Sequence, residues 1–227
     1  VKLVKNVFVS VLTLFLLTSF LFFFMRPGSE AAQRRAIDRS LELNSQAADL
    51  MAGGQYEAAL VHLQESLGLN PLNPVTHAQL GFVYLHRGEH QLAYEFFVQS
   101  FNLGAVSPEV TKELAGLLIT SGNYSEAIGF LQETLRDFPD RLELVFLLGK
   151  AYCLATEHEK SITTLLKLAE EEEYKGEANK YLGLNHYALG NFPEAAEYYA
   201  LVLAQRGIEI AGNVDELHKR VWSDNRG

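Results

Sequence analysis

Apolar, small and polar positions recur along most of this chain in a register of 34 residues. Within residues 74–107, His77, Leu80, Gly81 and Tyr84 follow one another at the spacing of one helical face. Ala93, Phe97, Ser100 and Phe101 mark a second such face further on. Between the two stands Arg87-Gly88-Glu89, where glycine supplies the left-handed turn that ends a helix. The same columns return elsewhere. The turn glycine stands at Gly54, Gly88, Gly122 and Gly190, with Thr156 in the remaining place. A small residue lies seven positions before it (Ala47, Gly81, Ala115, Gly149, Gly183), and another five positions after it (Ala59, Ala93, Ala127, Ser161, Ala195). A ring follows the turn by two at Tyr56, His90, Tyr124, His158 and Phe192. Each period therefore predicts a helical hairpin. One hairpin cannot bury its apolar stripe alone, so successive copies are predicted to stack.

The two ends break this pattern. Residues 7–25 carry no charge and lie between Lys5 and Arg26. As a helix they would span about 28 Å, close to the hydrocarbon thickness of a bilayer. The reading is a single-pass transmembrane anchor within 1–28. Ser29-Glu30-Ala31 offers a signal-peptide cleavage site, but the apolar run exceeds the roughly 7–15 residues of a signal core, which favours an uncleaved anchor. For orientation, Arg26, Arg34, Arg35 and Arg39 outnumber Lys2 and Lys5, which favours a cytoplasmic repeat domain. The short basic leader before a long apolar run favours export instead. The expectation taken is an extracytoplasmic, periplasmic repeat domain, and the initial valine, read as an alternative start codon, hints at a bacterial source. Ser29 is expected to cap a new helix after Pro27-Gly28, with 29–39 forming a stalk that leads into the first repeat helix, since no breaker lies between Ala31 and Ala52. At the other end, Asn213-Val214-Asp215-Glu216 is similar to a capping box. Val214, Leu217 and Val221 form a stripe with Trp222 beside it, so 210–227 is expected to be a capping helix and a tail.

Leu80-Gly81-x-x-Tyr84, Ala93-x-x-x-Phe97, and Pro71 and Pro139 at unit ends resemble the tetratricopeptide repeat signature, at that family's period. Leu148-Gly149-x-x-Tyr152 repeats it, and Leu182-Gly183-x-x-His186 nearly does. The resemblance implies an all-α, right-handed α-solenoid of five helix-turn-helix units at 40–73, 74–107, 108–141, 142–175 and 176–209, with the transmembrane helix before them. Two units depart from the signature. The first has Gln46-Ala47 in place of leucine-glycine. The fourth lacks the turn glycine and has Glu173 at the proline position, so its second helix is expected to end differently.

Charge narrows the partners. The chain carries 19 basic and 28 acidic residues, net −9. Such a surface repels phosphate backbones, which argues against nucleic acid. Glu170 to Glu173 is read as a solvated face, with a basic docking partner as the alternative. Cys153 is the single cysteine, so no intramolecular disulfide exists, and it is read as a small apolar filler. His86 and His90 flank the Gly88 turn and do not share a helical face, so they are not read as zinc ligands. No phosphate-cradling loop or nucleophile motif stands out. The chain is expected to be no enzyme and to need no cofactor or metal.

In the tetratricopeptide family the first helix of each unit lines the concave face. There the second, fifth, ninth and twelfth positions, about 130° from the core stripe, look into the groove. They give Val75, Ala78, Phe82 and Leu85; Glu109, Lys112, Gly116 and Ile119; Glu143, Phe146, Lys150 and Cys153; and Glu177, Lys180, Leu184 and Tyr187. The first unit places Leu41, Asn44 and Ala48 there and lacks the lysine–asparagine clamp for chaperone tails. The candidate partner-binding residues are Phe82, Leu85, Lys112, Ile119, Phe146, Lys150, Lys180, Leu184 and Tyr187. Apolar anchors beside lysines suit a peptide with one or two carboxylates. The expected function is a membrane-tethered adaptor or scaffold that holds a protein or peptide partner, in assembly of a bacterial envelope complex. The alternative is a structural protein that self-assembles into oligomers at the membrane.

Overall fold

The structure, a computed structural model, describes residues 27–208, 210 and 212–223. These residues form eleven α-helices and one 3-10 turn. The helices are α1 (Pro27–Ala52), α2 (Tyr56–Leu69), α3 (Pro74–His86), α4 (His90–Asn102), α5 (Pro108–Thr120) and α6 (Tyr124–Asp137). There follow α7 (Leu142–Leu154), α8 (His158–Leu165), α9 (Lys175–Ala188), α10 (Phe192–Gln205) and α11 (Val214–Ser223), with the 3-10 turn Leu166–Leu168 ending α8. The second helices α2, α4, α6, α8 and α10 begin at the five residues of the ring column.

The turn column explains the hairpins. Gly54, Gly88, Gly122 and Gly190 have φ between 72° and 82°, and Thr156 has φ 61°. Each turn closes with the same pair of backbone bonds. At Thr156, its own N–H donates to Cys153 O at 3.1 Å and the next N–H, of Glu157, donates to Tyr152 O at 2.9 Å. Gly88 and Glu89 repeat this on Leu85 and Tyr84. These bonds satisfy carbonyls that a helix end leaves unpaired. Helix starts use side chains instead. Asn73 and Ser107 accept from Val75 N and Val110 N, and Pro74 and Pro108 begin α3 and α5, where a missing N–H costs nothing.

The chain divides into two compact units, residues 1–89 and 90–227. In the first, α1 packs on α2 and on α3, and α2 packs on α3. Its interior is partly polar. Ser40, Asn44, Ser66, Asn73 and Thr76 are all buried. The Ser66 hydroxyl lies 2.9 Å from Ser40 Oγ, 2.8 Å from Asn44 Oδ1 and 3.0 Å from Thr76 Oγ1, and Asn73 Nδ2 donates to Ser40 Oγ. Asn44 is therefore an interior residue and does not face a groove.

In the second unit each helix packs on the next, and α5 on α7 and α7 on α9 add contacts between first helices. Small residues permit the close approaches. A Cβ on Gly149 would collide with the Leu165 side chain, and one on Gly183 would lie 2.5 Å from Tyr199 Cε1. Helix α8, in the unit that departs from the signature, is the shortest of the second helices. Thr163 and Thr164 turn their hydroxyls back to Glu159 O and Lys160 O, and the helix tightens into the 3-10 turn before the exposed Glu170–Glu173 run.

The expected fold class and localisation need correction. No helix among the described residues is long and apolar enough to cross a membrane. The one long helix, α1, carries Glu30, Arg34, Arg35, Asp38, Arg39, Glu42 and Asp49 within its 26 residues, which forbids a span. The anchor expected over 7–25 lies outside the described residues. Among the described residues the architecture is an all-α array of helical hairpins without a transmembrane helix, so nothing described carries the expected membrane placement. Helix α1 runs without a break from Pro27 through 29–39 to Ala52.

Candidate partner-binding face

The first helices of the second unit carry most of the expected groove residues. On α5, Lys112 is exposed and pairs with the neighbouring Glu113 at 3.7 Å, while Ile119 is buried. Glu109 is held by Arg141, whose Nη2 donates to it at 2.8 Å while its Nε donates to Glu143 at 2.6 Å. That guanidinium, with the Ser107 hydroxyl, keeps the Glu109 carboxyl below the usual carboxylate range. Lys112 and Ile119 thus stand apart from the rest.

On α7 and α9 the residues converge. Phe146 packs on Tyr174 and Tyr181, with ring centroids 6.0 Å and 5.9 Å away. The Lys150 ammonium sits 5.9 Å from the Tyr181 ring centre. Leu184 adjoins the same cluster, formed by Val145, Cys153, Leu165, Leu168, Ala178 and Leu182 around Tyr181. Lys180, expected to be open, is 2 % exposed. Its ammonium lies 4.4 Å from the Trp222 ring centre and 3.7 Å from Glu177. Burial lowers its affinity for a proton; Glu177 opposes that, and Arg206 and Lys150 reinforce it. Tyr187 is engaged elsewhere. It stacks on His218 at 4.7 Å and donates to Asp215 Oδ1 at 2.7 Å. In the first unit, Phe82 and Leu85 are half-buried on α3 and Val75 is 47 % exposed.

Sequence reasoning missed Tyr174, Tyr181 and Trp222. Tyr181 follows a groove position by one, outside both faces of the helical pattern. Trp222 lies off the 214–217–221 stripe, and that offset, in the chain's single tryptophan, was the available signal.

The remaining chemistry is quiet. Burial pushes the Cys153 thiol up to about 11, so at neutral pH it is a protonated, unreactive filler. His158 Nδ1 bonds Asn185 Oδ1 at 2.9 Å, and Asn185 Nδ2 donates to Ser161 Oγ, which ties α8 to α9. His86 stacks on Tyr56. No group of three or more metal-binding side chains occurs among the described residues. A cleft of about 340 Å³ lined by His90, Gln91, Tyr94, Leu117, Leu118, Ser121 and Asn123 includes none of the expected groove residues.

Comparison with solved structures agrees with the fold. YrrB, described as a tetratricopeptide protein with an unusual peptide-binding site, superposes with a TM-score of 0.71 at 16% identity, over 80% of this chain and 93% of that one. MamA from Desulfovibrio magneticus RS-1 gives 0.64 at 21% identity, over 75% and 97%. PilF from Pseudomonas aeruginosa gives 0.57 at 21%, over 84% and 85%. No family model and no curated protein matches the chain. At these identities the likeness shows the fold, a tetratricopeptide-like array of helical hairpins.

Proposed function

We propose that this protein is a non-catalytic interaction module that holds a peptide or protein partner against the face built by α7 and α9. The observation that carries the reading is the convergence of Phe146 and Lys150 on α7, Leu184 and the buried Tyr181 on α9, and Tyr174 just before α9, into one patch that joins aromatic surface to positive charge. The half-buried rings of Phe146 and Tyr174 give a partner apolar area at small entropic cost, and the nearby lysine selects for carboxylate. YrrB, which shares the fold, is described as binding peptide, which supports this use of the hairpin array. Within the same unit Lys112 and Ile119 remain candidates for an extended partner that runs beyond the patch; Phe82 and Leu85, on α3 of the first unit, remain candidates by themselves. End-to-end self-assembly, the other reading, is disfavoured because α11 covers the α10 face on which a further hairpin would stack.

Photo-crosslinking from position 146 tests this in the native host. The expected result is a discrete heterologous adduct that Lys150→Glu abolishes at unchanged helicity and melting temperature. An adduct indifferent to Lys150→Glu, or none, overturns the proposal.

A further inference from the structure

Helix α11 does two different things. Its stripe, Leu217 and Val221, is buried on α10 against Ala195, Tyr199, Val202 and Leu203, and Trp222 packs at the edge of this cluster. Trp222 leaves that stripe and reaches α9. Its ring meets Tyr181 edge-on at 5.7 Å and covers the Lys180 ammonium. The indole thus occupies one end of the patch described above, adjoining Phe146 through Tyr181.

The fit is electrostatically incomplete. Lys180 is buried with one carboxylate at 3.7 Å, that of Glu177, which is itself half exposed. Lys150 and Arg206 are close enough to disfavour its charge, so three cations gather here in a chain of net charge −9. An indole face attracts an ammonium through its quadrupole, but a buried cation is satisfied far better by a carboxylate with hydrogen bonds. The indole N–H is also buried without a well-formed hydrogen bond, although it lies beside the Tyr199 hydroxyl. A donor this poorly paired loses little when the docking is undone. Arg206 links the two features, because its Nη1 donates to Val221 O at 3.2 Å and so ties down the last turn of α11. An anion that recruits Arg206 would loosen that tie.

We infer that Trp222 is a plug in cis: its indole fills a subsite formed by Lys150, Lys180, Tyr181 and Arg206 whose intended occupant is a partner's aromatic side chain next to a carboxylate, and an acidic, aromatic peptide segment binds there by displacing it. The inference rests on the partner-binding reading of α7 and α9 and specifies that partner's chemistry. Charge complementarity selects the occupant, since a basic segment would add a fourth cation.

The probe is a pooled library of acidic nonapeptides, each with one central phenylalanine among glutamate, aspartate, alanine and leucine, added to the full chain. Trp222 is the chain's single tryptophan, so its emission reports the plug in the unaltered protein. The expected results are a red shift of that emission on binding, affinity about tenfold higher for Trp222→Ala, as removal of a plug closed about 90% of the time would give, and loss of binding with Lys150→Glu. If the peptides bind both proteins equally with unchanged emission, and Lys150→Glu still abolishes binding, the plug is overturned while the partner-binding face stands. If the library binds neither protein, both fall. If Trp222→Ala dimerises, a second copy of the chain is the occupant and the peptide assignment is overturned. Should Trp222→Ala unfold, the emission shift of the unaltered chain decides alone.

Discussion

Thr156 holds a left-handed backbone that four glycines hold at the equivalent turns, and it is the one non-glycine with positive φ among the described residues. A β-branched side chain there costs about 1–2 kcal/mol in the folded state, while glycine gives back about 0.4–1 kcal/mol through the unfolded chain. Thr156→Gly should therefore raise stability by about 0.5–1 kcal/mol in denaturant melts, with no change in binding. Gly183 poses the opposite case. Its Cβ would press on the buried Tyr199 ring, so Gly183→Ala should lose about 1–3 kcal/mol in the same assay. Both residues were legible in the sequence, because a column held through every unit records a backbone requirement. Asn44 was not. The helical pattern gave it a groove position, yet hydroxyls from α2 and α3 meet it inside the first unit. Such a network depends on side chains 22 and 32 positions away, and no local periodicity encodes it.

At the level of elements, the sequence located the hairpins because helix ends here are set locally, by a left-handed residue, a cap or a proline. It also marked α8 as the helix that would end differently. What it could not supply is what covers a helix face. Lys180 sits where a straight helix points outward, and α11 buries it. The docking of α11 should depend on pH through His218, which faces Tyr187, Tyr199, Asp215 and Trp222. Burial lowers its affinity for a proton, with Asp215 opposing. Its folded value therefore lies below the unfolded one of about 6.5. The associated stability is present above that value and is lost as pH falls through the interval down to the folded value. Trp222 emission should shift to the red as pH is lowered across this window, and His218→Gln should remove the step.

For the whole molecule, length and period identified a repeat array, and net charge disfavoured nucleic acid. The membrane expectation rested on the composition of 7–25 alone, and no described helix shares that composition. Repeat arrays are stabilised by their nearest neighbours, so the last hairpin depends on its cover. Removing residues 212–227 would expose Tyr199, Val202 and Leu203. The truncated chain should melt at lower temperature and show concentration-dependent sedimentation. A monomer with unchanged melting would mean that α11 is not a cover.

The five turns have a consequence for how this chain can change. Each is closed by backbone atoms through one left-handed residue, and at Gln55, Asn123 and Asn191 the side chain makes no cap to the helix that follows. These corners conserve a length and one left-handed residue, and leave the side chain after it free. They form an editable margin, where a label, an epitope or a drifting lineage can write new side chains without disturbing the fold beneath.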